Sequence, residues 1–268
     1  MLSIVVLTKN EEERIKACLE SVKWADEIIV ADNGSSDKTL EICRKYTDKI
    51  IINKSPDFDL RRNEAIEKTS GDWVLYIDAD ERVLESLKKE IQEIIGSSEF
   101  SALAISRINV IFGKKVAYGP YKNDWVIRLL KKSEFKNWVG KVHEYPTFNG
   151  KLGYTKSSLL HLTHRDLDHF ILKSLEWSKI DAKLRQDVHH PKMSGWRFLR
   201  IFITETWNQG VIRGGFFAGS VGIIDSLLQV FSMLMSYIRL WEMQQKPQLK
   251  EVYENLDQKL IKDGFNFK

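Results

Sequence analysis

The sequence predicts an α/β fold with an open, mostly parallel sheet, followed by a mostly helical C-terminal extension. Three observations carry this. Up to about residue 100, short apolar runs alternate with helix-periodic segments, the pattern of βαβ units whose strands are buried on both faces. Polar residues cluster directly after those runs, where an open parallel sheet presents its ligand-binding edge. Beyond residue 165, a glycine-punctuated texture gives way to long stretches with helical spacing.

The strand candidates are residues 3–7, 27–31, 49–52 and 73–77. Between the first two, Ile15, Cys18, Leu19 and Val22 recur at i, i+3, i+4 and i+7, so a helix beginning near Glu11 lays one apolar stripe on the sheet. Ser35 or Ser36 is placed to cap a helix through about Tyr46, and Asp59 one through about Lys68; residues 84–95 form a fourth that stops at Gly96. Residues 100–162, broken by Gly113, Gly119, Pro120, Gly140 and Gly150, read as an antiparallel extension. A helix from Asp166 to about Gln186 follows, with Phe170, Ile171, Leu175, Ile180 and Leu184 as its apolar positions. The expected organisation is one domain over residues 1–165, divisible into 1–98 and 99–165, and a helical extension over 166–268. No internal repeat or low-complexity tract is visible.

With 268 residues, 43% of them hydrophobic, the chain can bury a sizeable core. The 41 basic and 37 acidic side chains leave a formal charge of +4, too small a surplus for an obligate nucleic-acid binder. Cys18 and Cys43 both fall in helical segments, which supports neither a disulfide scaffold nor a thiolate zinc site and points to a reducing compartment. The opening apolar run has no basic segment before it and no small-residue cleavage site after it, so it reads as a first strand, not a signal peptide. No run of about 18 uninterrupted apolar residues occurs, so a soluble or peripheral cytoplasmic protein is expected.

The strand ends supply Thr8-Lys9-Asn10-Glu11, then Asp32-Asn33-Gly34-Ser35-Ser36-Asp37, then Asp78-Ala79-Asp80. Without glycine after the first strand there is no dinucleotide fingerprint, and no Walker phosphate loop occurs anywhere. A nucleotide held on this sheet needs another way to neutralise its diphosphate. Asp78 and Asp80, one residue apart at a strand end, can hold a divalent cation that does so; an ordinary solvated acidic loop is the alternative. The ionised carboxylate of Asp32 can accept hydrogen bonds from a nucleobase imide or a ribose hydroxyl. An Asx-turn through Asp32, Asn33 and Gly34 is compatible with that role.

The segments SIVVLTKNEEERI, EIIVADNGSSDKT, RRNEA and GDWVLYIDADER, in this order over about the first hundred residues, resemble the nucleotide-binding half of family 2 glycosyltransferases, enzymes of GT-A fold. The resemblance implies that Thr8, Asn10 and Glu11 line the nucleotide pocket and that Asp32 recognises the uracil or ribose. It also implies that Asp78 and Asp80 form the DXD pair on metal and diphosphate, and that Arg62 and Asn63 lie near base and phosphates. The later segments VIRLLKKSEFKNWVGKVHEYP and LLHLTHRDLDHF are similar to a narrower branch, the bacterial lipopolysaccharide-core glucosyltransferases that act on inner-core heptose. The implied activity is inverting transfer of a hexose, glucose from UDP-glucose, to a lipid-anchored saccharide, assisted by Mg2+ or Mn2+.

Inversion needs one carboxylate to take the proton of the acceptor hydroxyl. Glu144, directly after His143, is the candidate base, with Asp124 in reserve; an ordinary strand-end hydrogen bond between His143 and Glu144, or pairing of Glu144 with Arg128, is the competing structural role. His143 and His161 are candidates to complete the metal shell. His161 and His164, three apart on a strand, would face opposite sides. Two rivals share the N-terminal half: a polyprenyl-phosphate glycosyltransferase, whose anionic acceptor needs no protein base, and a non-catalytic nucleotide-sugar-binding protein. A nucleotidyltransferase is disfavoured because Glu11, Glu12 and Glu13 stand where a phosphate loop would. Between residues 192 and 246, aromatics including Trp196, Phe202, Trp207, Phe217 and Trp241 interleave with Arg197, Arg200, Arg213 and Arg239. That mixture suits an interfacial helix on the inner face of the cytoplasmic membrane, with core packing the alternative for residues 221–240.

Overall fold

The computed structural model describes residues 1–55, 57–97, 99–140, 144–262 and 264–265, and it divides into two units, Met1–Thr163 and His164–Lys268. The first unit runs β1 (Leu2–Thr8), α1 (Ile15–Val22), β2 (Glu27–Asp32), α2 (Thr39–Cys43), β3 (Ile50–Ile52), α3 (Phe58–Glu67), β4 (Trp73–Asp78), β5 (Glu81–Val83) and α4 (Glu85–Ser97). It continues through β6 (Ala102–Ile111), β7 (Lys114–Val116), a 3-10 turn at Gly119–Tyr121, β8 (Trp125–Lys131), β9 (Phe135–Val139), β10 (Tyr145–Phe148) and β11 (Leu152–Leu162). Nine strands form one mixed sheet in the order β3-β2-β1-β4-β8-β6-β11-β5, with β7 on β6; β10 and β9 form a separate antiparallel pair.

Strands β3, β2, β1 and β4 are mutually parallel, as the continuous apolar runs predict. Along β1 and β4, alternate residues serve opposite faces. Ile4, Val6, Leu75 and Ile77 pack with Ile15, Leu19 and Val22 of α1, while Val5, Val74 and Tyr76 pack with Ala65 and Ile66 of α3 and with Trp138. The stretch after residue 100 extends the sheet with mostly antiparallel pairings, β11 on β6 being the parallel exception. β8 is antiparallel to both β4 and β6, but β11 runs parallel to β6 and closes antiparallel on β5, so the same sheet simply continues.

Three local features differ from the sequence reading. Residues 11–14 form a turn closed on Glu11 O, and α1 begins only at Ile15. Neither Ser35 nor Ser36 caps α2; Asp37 Oδ1 takes the Thr39 N–H (3.0 Å) instead. Helix α4 also runs through Gly96.

The second unit contains α5 (Leu167–Asp187), α6 (Gly195–Trp207), a π-helical turn at Asn208–Ile212, a 3-10 turn at Gly215–Phe217, α7 (Gly219–Met243) and α8 (Leu249–Lys262). Asp166 caps α5 by accepting the His169 N–H (2.7 Å). The buried stripe of α5 is Phe170, Ser174, Ser178 and Ala182, whereas Leu172 and Leu184 are exposed, so small residues replace most of the expected apolar face. Helix α7 does the same. It buries Val221, Gly222, Asp225, Ser226, Val230, Ser236 and Leu240 and exposes Ile223, Ile224, Leu227, Phe231 and Ile238. A Cβ on Gly222 would come 2.3 Å from Gly215 O, so glycine there permits the close approach of the 3-10 turn to α7.

Candidate active site

The crevice opens at the carboxyl ends of β1, β2 and β4, where Thr8 pairs with Asp32 and Leu7 with Asp78. Because β2 and β4 lie on opposite sides of β1, this is the switch point at which such sheets bind ligands. The loop after β1 is laced to the loop after β2. Asn10, at a φ of 52°, donates its N–H to Ser35 Oγ (2.8 Å) and accepts from Ser36 N (2.8 Å), and Glu11 N donates to Thr39 Oγ1 (2.7 Å). The Glu11 carboxylate pairs with Arg14. Thr8 Oγ1 is buried without a hydrogen-bond partner among the described residues.

Asp32 displays its turn role. Oδ1 accepts from Gly34 N and Ser35 N (2.8 Å each), Oδ2 accepts from Ser35 Oγ, and the residue is 1% exposed. These bonds are the Asx-turn the sequence offered alongside a nucleotide-binding role. Asn63 is likewise structural. Its Nδ2 donates to Trp138 O (3.0 Å) and its Oδ1 accepts from Trp138 N (2.7 Å), tying α3 to β9 and leaving little of the amide for a nucleotide. The neighbouring Arg61 and Asn33 meet beside this loop. With its amide oriented to satisfy both neighbours, Asn33 accepts from Arg61 Nη1 (2.7 Å) and donates to Asn53 O (3.0 Å).

Arg62 is the hub of the crevice. Its guanidinium lies over the rings of Trp138 (4.8 Å) and Tyr76 (5.4 Å), donates from Nε to Glu144 Oε1 (3.0 Å) and places Nη2 in ion-pair contact with the same oxygen (2.9 Å). Nη2 also faces Asp78 Oδ1 at 3.5 Å, while Nη1 has no hydrogen-bond partner among the described residues. Arg128 takes the other oxygen of Asp78, and also reaches Glu81 Oε1 (3.3 Å). Burial opposes ionisation of Asp78, but Arg128 and Arg62 outweigh it and hold the carboxyl below its usual range. Arg128 is delivered by a β-bulge: Leu103 pairs with Leu129 and Ala104 with Ile127, leaving residue 128 unpaired and its side chain re-aimed. Glu81, 0% exposed, accepts from Arg128 and Arg107 through Oε1 and from Asp78 N (3.0 Å) through Oε2, which fixes the acidic turn.

The two candidate bases sit differently. Glu144 pairs with Arg62, not Arg128, and both bonds converge on Oε1. Asp124 is held through both oxygens, by Arg107 Nη2 (2.8 Å) and Nε (2.9 Å) and by Asn109 Nδ2 (2.9 Å). Burial pushes its carboxyl up, but Arg107 and Asn109 prevail and lower it, making it a poorer proton acceptor.

Asp80 faces His161 of β11. Its Oδ2 is 3.5 Å from His161 Nε2, brought there by the antiparallel pairing of His161 with Glu81. Asn109 gives its amide N–H to Asp124, so its Oδ1 accepts from His161 Nδ1–H (2.7 Å). In the neutral imidazole this turns the Nε2 lone pair toward the Asp80 carboxylate. One oxygen and one nitrogen thus converge, a pair whose chemistry would suit a divalent cation such as Mg2+ or Mn2+. Among the described residues no group of three or more His, Cys, Asp or Glu side chains could hold a metal. His143 lies outside the described residues, and His164 falls after β11 at a φ of 45° in the second unit.

The crevice is that of a sugar-nucleotide transferase, and the chain belongs to glycosyl transferase family 2, whose profile matches residues 3–152. An uncharacterized glycosyltransferase of Rickettsia conorii is 27% identical over 256 residues, covering 90% of each chain. The lipopolysaccharide core biosynthesis glycosyltransferase LpsC of Rhizobium meliloti is 27% identical over 211 residues, 76% of this chain and 77% of its own. The structure of S. aureus TarS 1–349 in complex with UDP-GlcNAc aligns over 78% of this chain and 71% of its own, at a TM-score of 0.45 and 15% identity. The protein is a glycosyltransferase using a nucleotide-sugar donor.

Proposed function

We propose that the enzyme transfers a hexose, glucose from UDP-glucose, with inversion to a saccharide hydroxyl on a lipid-anchored acceptor such as the lipopolysaccharide inner core. The carrying observation is that Arg62 joins Glu144 and Asp78 at the crevice while leaving Glu144 Oε2 outside both of its bonds. Glu144 takes the acceptor proton as the acceptor oxygen bonds to the anomeric carbon, and the bond from that carbon to the diphosphate oxygen breaks. Arg62 keeps Glu144 oriented. Asp80 and His161 hold a divalent cation, which supplies positive charge to the leaving diphosphate. Asp78, clamped by Arg62 and Arg128, keeps the acidic turn and the arginines in place, with Thr8, Asn10 and Glu11 shaping the nucleotide pocket. The test is a thermal-shift panel of nucleotide diphosphates and nucleotide sugars with and without Mn2+. A true donor at about 100 times its Kd stabilises the fold by about 2.7 kcal/mol. If no nucleotide sugar shifts the midpoint, the proposal fails.

The acceptor's lipid anchor is matched by the second unit, whose burial pattern supports a membrane-facing role. In α7 the buried face carries Gly222, Asp225, Ser226 and Ser236 while the exposed one carries Ile223, Leu227, Phe231 and Ile238, the inverse of a helix that faces water. Small residues at a helix contact and large apolar ones outside it are what lipid rewards. Along α6, Trp196, Leu199, Ile203 and Trp207 form a second exposed stripe, beside Arg197 and Arg200. Helix α7 has the length and apolarity of a membrane span; Asp225 and Gln229, bonded at 3.2 Å, interrupt it and support a helix lying in the interface of the inner leaflet.

A further inference from the structure

We propose that Trp125 and Tyr154 form the stacking platform of an acceptor-saccharide subsite, an assignment that rests on the transferase reading above. The two rings are 43% and 62% exposed and meet edge to face, with centroids 5.2 Å apart and planes at 85°. They reach each other across β6. Trp125 of β8 pairs with Ser106, and Tyr154 of β11 pairs with Ala104, so only small side chains lie between the rings. On the same rows, Ser106 Oγ and Ser158 Oγ share a 2.6 Å hydrogen bond.

The register puts this platform beside the chemistry. Counting outward from the Leu75–Leu129 pair, and allowing for the bulge at Arg128, Trp125 is about level with Asp78 on the adjoining strand. Ala102 belongs to the core face that contains Val74, Tyr76 and Trp138, and Ala104 and Ser106 follow it at two-residue steps. That is the face on which Arg62 stacks over Tyr76 and Trp138 and carries Glu144. The platform spans two strand spacings, ~10 Å, from β8 to β11.

Its chemistry selects a sugar. A pyranose ring presents C–H faces that pack on aromatic surface and a rim of hydroxyls that need donors and acceptors, and here two rings stand next to two hydroxyls and a phenol. The platform is also rigid. Arg107 holds Asp124 through two bonds and donates its backbone N–H to Asp124 O (2.9 Å), which fixes the residue immediately before Trp125. Asp124 is therefore a positioning residue for this subsite.

The test is a titration of deacylated lipopolysaccharide core oligosaccharide followed by saturation-transfer NMR, with UDP affinity measured calorimetrically on the same samples. Trp125→Leu and Tyr154→Leu are expected to weaken oligosaccharide binding at least tenfold while UDP affinity and the thermal midpoint stay at wild-type values. Tyr154→Phe, which keeps the ring, is expected to retain saccharide binding. Equal oligosaccharide affinity in wild type and both leucine variants, or no saccharide binding by wild type, overturns the platform. A variant that loses UDP affinity and thermal stability together assigns the rings a structural role and also overturns it. If wild type binds no UDP, the donor reading falls, and a ring-dependent saccharide signal then leaves the platform standing alone.

Discussion

Glu144→Gln separates the base from its neighbours. The amide keeps an oxygen that can accept from Arg62 Nε and Nη2, so the Arg62 hub and the donor pocket stay in place. What disappears is the proton acceptor, and general-base assistance is worth about 10²–10⁴ in rate, or about 3–5.5 kcal/mol on the barrier. Turnover is expected to fall by that factor while the Kd for UDP-sugar is unchanged. Asp124→Asn acts differently, because it removes a carboxylate held on both oxygens by Arg107 and Asn109 and leaves Arg107 with Glu81 alone. Breaking such a largely buried pair costs about 3–5 kcal/mol of stability, so this variant is expected to unfold at lower urea with turnover per folded molecule much less affected. The assay is a coupled measurement of UDP release with acceptor present, paired with calorimetry for the donor and urea denaturation for both variants. Wild-type turnover in Glu144→Gln together with lost turnover in stably folded Asp124→Asn would refute the assignment.

Asp80→Asn and His161→Gln are each expected to raise the Mn2+ concentration needed for half-maximal activity by 10–100-fold, the range for losing a ligand's support; metal titration checks this, and an unchanged requirement removes the pair from the metal site. Away from the crevice, burial opposes ionisation of Glu27, but bonds from Lys49, Ser3 and Ser70 bring its carboxyl from 4.5 down to about 2. A lowered folded pKa gives stability that is full above the unfolded value and is lost as pH falls from about 5 toward 2, worth about 3 kcal/mol. Glu27→Gln is therefore expected to be less stable than wild type at pH 7 and nearly equal to it near pH 2, read by urea denaturation across pH. For the second unit, Arg197→Glu with Arg200→Glu is expected to abolish co-sedimentation with anionic vesicles at low salt, at about 1 kcal/mol per basic group lost. Wild-type protein that ignores such vesicles contradicts the membrane reading.

What the sequence made legible was the part whose signals are local. Each parallel strand is a short apolar run, and Asp32, Asp78 and Thr8 arrive at strand ends because the run stops there. The arginine wiring was not legible, since it depends on pairings between distant segments. Arg128 reaches Asp78 only through a bulge that no residue type announces, and His161 reaches Asp80 only because β11 folds back on β5. Asn63 belonged to a matching motif, but its amide went to the β9 backbone, a partner 75 residues away. A run of acidic residues at 78, 80 and 81 did carry one unused signal. An acid next to Asp78 and Asp80 is too costly to bury alone, and its burial required arginines from elsewhere in the chain. In the second unit the sequence left residues 221–240 as either membrane-facing or core, because periodicity locates a stripe without saying which solvent it meets; the structure exposes Ile223, Ile224, Leu227, Phe231 and Ile238 of that stretch.

The charges of the crevice explain why these parts belong together. Three guanidinium groups, Arg62, Arg107 and Arg128, stand among five carboxylates, Asp78, Asp80, Glu81, Asp124 and Glu144. Arg61, whose guanidinium also feels Arg62, Glu144 and Asp78, adds a fourth positive group beside them. The arrangement also divides the carboxylates by duty. Asp78, Glu81 and Asp124 are consumed by arginines and make the scaffold rigid, while Asp80 faces a histidine and Glu144 keeps Oε2 outside its bonds to Arg62. On the proposed mechanism, a further arginine partner on Glu144 would stabilise the fold and occupy the proton acceptor the reaction needs.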